Sequence, residues 1–130
     1  MKKAVLAFAA VFGFFCILSA SLGRGRVDIV QIYSNFLASR VAALGCNAAD
    51  KATESKFLSN LQAVTIRAIQ ALKERNQTLS DADLSAKIVA AQNTTQAAVK
   101  GEITKNGCSS ERIRALLKLY KIHSEMSLGG

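Results

Sequence analysis

VDIVQIYSNFLASRVAAL, residues 27–44, is the stretch that decides the fold. Val30, Tyr33, Leu37, Val41 and Leu44 recur in it at three- and four-residue steps. That is the spacing of one face of an α-helix, not of a strand. Gly45 stands directly after it, where a helix C-terminus commonly takes glycine. Cys46 comes next.

Downstream the pattern recurs three times. Asn47 stands ahead of Asp50 as a capping pair for a second helix over residues 48–75, with a stripe of Leu58, Leu61, Thr65, Ala68 and Leu72 flanked by Phe57, Val64 and Ile69. Residues 76–80 form a loop. Ser80 is the N-cap expected for a third helix, with Asp81 and Asp83 in the first turn, where the helix dipole favours anions. The apolar face of that helix is thin: Leu84, Ile88, Ala91, Thr95, Ala98 and Val99. Asn106 and Gly107 stop it, and Ser109 or Ser110 caps a fourth helix carrying Ile113, Leu116, Leu117 and Tyr120, with Leu119, Ile122 and Met126 on a flank. The 130 residues contain no proline, where about 5% is usual. Proline breaks helix interiors, so its absence fits an all-α chain. Short connections make successive helices antiparallel neighbours. The expected fold is an up-down-up-down four-helix bundle over residues 24–126, followed by a disordered tail, 127–130.

The N-terminus is of another kind. Lys2 and Lys3 precede an uncharged run over residues 4–23 with Phe8, Phe12, Phe14 and Phe15 at its centre, ending in Ser19, Ala20, Ser21 and Gly23. A basic head, an apolar middle and small residues at the end are the parts of a secretory signal peptide. Residues 1–23 are therefore expected to be a signal, cleaved near residues 20–23. Cys16 is no lipidation site, because Phe15 is too bulky before it. The competing expectation is an uncleaved anchor over residues 4–22, which just reaches the ~18 apolar residues that can span a bilayer. The address is accordingly secreted or periplasmic.

Without Lys2 and Lys3, the 17 Lys+Arg become 15 against 9 Asp+Glu, a net charge of +6. Bases and acids are interspersed, which suits a solvated surface more than nucleic acid. Only Cys46 and Cys108 follow the signal. An even pair in an exported protein reads as a disulfide. The first and third helices of such a bundle end at the same pole, which brings the two together. Closing a loop of this length stabilises by roughly 4 kcal/mol. A bond between two chains, or two free buried thiols, are the other readings. Neither cysteine sits in a CxxC pair, which argues against redox catalysis.

Groups for chemistry are sparse. His123 is the single histidine, and any nucleophile–base pair would have to use it. Beside Ser124 and Glu125, it is expected to be a solvated surface residue. His123 and Met126 lie one helical turn apart, which cannot place two ligands on opposite sides of a haem iron. The acids form no calcium-loop or zinc-site pattern, and no phosphate-binding glycine motif occurs. No catalytic residue, metal or cofactor is expected. Asn76-Gln-Thr78 and Asn93-Thr-Thr95 are glycosylation sequons, which matter in a eukaryotic source.

The most pointed surface feature is the fourth helix, where Arg112, Arg114, Lys118 and Lys121 oppose a wide apolar face. Such helices lie on anionic membranes or dock in partner grooves. The plainer reading is a bundle helix with buried leucines and wet lysines. The expected function is a small exported, non-catalytic binding protein for a protein partner or an apolar small molecule, of inhibitor, chaperone or immunity type. The alternative is a membrane-active cationic protein, of host-defence or toxin type, working through that C-terminal helix.

Overall fold

Asp28 caps the first helix by accepting a hydrogen bond from the backbone N–H of Val30 at 3.0 Å. The structure, a computed structural model, describes residues 28–128. The expected signal or anchor, its cleavage site, and Gly129 and Gly130 lie outside the described residues. Among those described there are four helices and no strand: α1 (Ile29–Gly45), α2 (Lys51–Arg75), α3 (Asp81–Asn106) and α4 (Glu111–Glu125).

Local chemistry sets the ends. Asp50 caps α2 by accepting from Thr53 N–H at 3.0 Å. Ser80 and Asp83 form a reciprocal capping box on α3, and Ser110, not Ser109, caps α4. The α1–α2 junction departs from the expected one. Gly45 is still helical, and Asn47 takes the left-handed conformation, with φ of 54°. The N–H of Ala48 then bonds to the carbonyl of Ala43 at 2.8 Å, and that of Asn47 to Leu44 at 3.4 Å. This is the paired closure of a Schellman turn. It occupies Asn47 and Ala48, so α2 starts at Lys51. Gly45 serves packing instead: a Cβ there would meet Ile103 Cδ1 at 2.8 Å.

α1 is the central helix. It packs extensively against α2, α3 and α4, and α2 also packs on α4. α3 lies along α1 and touches α2 and α4 only slightly. No residue of α1 from Ile29 through Ala43 is exposed. A helix apolar around most of its circumference belongs inside, and residues 29–44 have little polar face to offer water. The buried set is accordingly Tyr33, Phe36, Ser39, Ala42 and Ala43, while Leu44, expected on the core stripe, is half exposed.

One core cluster joins Tyr33, Phe36, Ala43, Phe57, Val64, Ala68 and Tyr120. A second joins Ala42, Val99 and Ile113 beneath Cys46 and Cys108. The inner face of α2 is rotated from the expected stripe: Phe57, Asn60, Val64 and Ala68 are buried, and Leu58 is exposed. On α3 only Leu84 and Val99 are buried, and Ala91 and Ala98 face solvent. Its thin apolar face is enough for one neighbour, α1, and no more. Beyond α4, Leu128 is partly buried against the first cluster.

Candidate functional site

His123 is not a surface residue. It falls on the α4 stripe that begins at Ile113 and continues through Leu116 and Tyr120, and it is 5% exposed. The three- to four-residue spacing that identified the apolar face also reaches His123, and the polar neighbours Ser124 and Glu125 obscured it. The imidazole stacks on Phe36, with centroids 3.8 Å apart, and meets Phe57 at a tilt, 6.2 Å away. Its Nδ1 lies 3.1 Å from Ser39 Oγ. Ser39 donates its hydroxyl proton to the Phe36 carbonyl at 3.0 Å. With that proton committed, Ser39 accepts from Nδ1–H, and Nε2 is the basic nitrogen. Burial lowers the imidazole pKa to about 4, so the ring is neutral at pH 7.

Two polar arrangements flank this centre. The Asn60 amide, buried on α2, donates to the carbonyls of His123 at 2.8 Å and Met126 at 2.7 Å. The last carbonyls of a helix have no partner within it, and here a neighbouring helix provides one. One turn back on α4, Tyr120 donates to Glu54 Oε2 at 2.5 Å, and Arg40 holds Glu54 Oε1 at 2.7 Å. The phenol pKa is raised, first by burial and then by the bond to the Glu54 carboxylate. Three helices are thus cross-linked by one carboxylate.

Ser39 and His123 resemble a nucleophile and its base only in composition. Ser39 is wholly buried, so no substrate carbonyl reaches Oγ. The bond uses Nδ1, the nitrogen that a serine triad reserves for its orienting carboxylate. What this arrangement does chemically is hold a neutral imidazole inside an aromatic core.

The slight contact between α2 and α3 leaves an open groove of about 390 Å³, lined by Ile69, Leu84, Ile88 and Val89 among others. Lys73 and Asp81 pair across its end at 3.0 Å. Gln92, on its lining, donates to the buried Tyr33 Oη at 2.9 Å.

The sequence-selected residues fall in separate places. Cys46 and Cys108 are together, with Cα atoms 5.9 Å apart and sulfurs at bonding distance. Arg112, Arg114, Lys118 and Lys121 lie exposed on the outside of α4. Its apolar side faces inward, with Ile113 and Tyr120 buried and Leu116 and Leu117 partly so. Asn76 caps the end of α2 and Asn93 sits mid-way along α3, both exposed. Among the described residues no group of three or more His, Cys, Asp or Glu side chains is placed to hold a metal ion. None of their helices is long and apolar enough to cross a membrane.

No protein family, curated protein or solved structure matches this chain.

Proposed function

We propose that this chain is exported through residues 1–23 and acts outside the cytosol as a small non-catalytic binding protein of inhibitor, chaperone or immunity type. In this reading the helices alternate up-down-up-down. The short connections support that direction, as do the pairs Asp28 with Arg75 and Arg40 with Glu54 between α1 and α2. The Cys46–Cys108 pair supports an oxidising destination.

The observation that carries the reading is the groove between α2 and α3. Concave, mostly apolar surfaces with a few polar groups are where ligands and partner side chains bind. Ile69, Ile88 and Val89 supply the apolar wall, and the Gln92–Tyr33 bond supplies a fixed polar point. The inward-facing apolar side of α4 supports this over membrane action, because Ile113 and Tyr120 are committed to the core.

Titration with an apolar fluorescent probe, anilinonaphthalene sulfonate, tests it. Val89 is half exposed, so Val89→Asp alters the groove without touching the core. Saturable one-to-one binding that weakens at least ~10-fold in Val89→Asp is the expected result. A drop of that size corresponds to about 1.4 kcal/mol. Equal binding by both proteins, or none by either, overturns the groove as the binding site.

A further inference from the structure

We propose that His123 is an acid-released latch: protonating its imidazole frees the last turns of α4 and the segment to Leu128, while the pole tied by Cys46 and Cys108 stays folded. The inference does not depend on the groove.

The geometry of the ring is the first ground. It has Phe36 on its face, Phe57 at a tilt and Ser39 on Nδ1. A cation placed there loses most of its hydration, and its attraction to the Phe36 face is small against that loss. Among the described residues no carboxylate pairs with the imidazole. From α1 the neighbouring charge is Arg40, which is paired with Glu54. From α2 it is Glu54, shared between Arg40 and Tyr120, and Lys56, which is exposed. On α4 itself Lys121 and Glu125 are exposed, and Tyr120 is engaged with Glu54. Burial alone accounts for the lowered basicity of the imidazole.

The second ground is how unevenly α4 is held. Its start follows Cys108, is capped by Ser110, and places Ile113 in the second core cluster with Ala42 and Val99. Its end depends on His123, on the Asn60 amide reaching the carbonyls of His123 and Met126, and on Leu128. Removing His123 from its place also pulls its carbonyl from Asn60. Opening there uncovers the rings of Phe36 and Phe57, so acid would turn a closed bundle into one that presents an aromatic surface.

Amide hydrogen exchange on the full mature protein, at pH 7 and pH 4, reads the latch directly. The amides of residues 119–125 are expected to be less protected than those of α1 and α2 at both pH values. Their protection factors should fall roughly 100-fold from pH 7 to pH 4, given an unfolded imidazole pKa near 6.5 and a folded one near 4. In His123→Phe, which keeps a ring against Phe36 but takes no proton, that fall should vanish. If His123→Phe does not fold, His123→Gln reads the same quantity. Exchange of the α4 end only together with α1 and α2 overturns the latch. So does a fall that persists in the uncharged variant.

Discussion

The imidazole of His123 lies flat against the ring of Phe36, with planes 9° from parallel. Phe36 is fully buried and His123 nearly so. A titratable group has thus become part of the aromatic core.

Acid should weaken the fold in a window above that of the carboxylates. The folded imidazole has its pKa lowered to about 4, while the unfolded one keeps about 6.5. Between those values the unfolded chain binds the extra proton. Stability is therefore full above pH 6.5 and declines as pH falls towards 4, by about 3 kcal/mol in total. Urea unfolding at pH 7, 5.5 and 4.5 measures it, with His123→Phe as the control. A wild-type stability that is flat across these three values would contradict the buried neutral ring.

Asn60 should matter more than a polar residue on a helix usually does. Its amide serves the carbonyls of His123 and Met126 from within the core. Asn60→Ala leaves those carbonyls without their donor, at a cost of about 1–3 kcal/mol. Asn60→Asp should cost more at pH 7, because a carboxylate cannot donate and stands at the negative end of the α4 dipole. Thermal unfolding ranks the two variants. An Asp variant as stable as wild type would show that the amide does not hold the helix end.

Reduction of the Cys46–Cys108 pair, or its replacement by two serines, should cost about 4 kcal/mol on chain entropy. Its sequence separation of 62 closes a long loop. α3 should loosen first, since it buries only Leu84 and Val99 and packs mainly on α1. Denaturant unfolding with and without reductant gives the magnitude, and exchange of the α3 amides gives the order. An α3 that stays as protected as α2 after reduction would argue against its loose attachment.

The helices and the Ser80 cap were legible in the amino-acid sequence because they are local, whereas Ser110 is one of two candidates there and Asp50 falls inside the expected second helix rather than ahead of it. Ser80 with Asp83, Ser110 and Asp50 act within one turn of the residues they cap. The nearness of Cys46 and Cys108 agrees with the intrachain disulfide expected of an even cysteine pair, one of three readings that the sequence leaves open. The α1–α2 junction was misjudged at Gly45 and Asn47. Both suit a helix end, and only the approach of Ile103 to Gly45 separates their roles.

By itself, then, the sequence determined four helices and their approximate ends, from contacts within a few residues. The tertiary structure decided which helix lies at the centre and which side of each faces it. Burial depends on every neighbour at once, and α1 has three. That is why Leu44 and Leu58 stand in solvent while Ser39, Asn60 and His123 lie inside. A polar side chain is buried where another helix can satisfy it, and residues 84 and 63 positions away in the chain do so here.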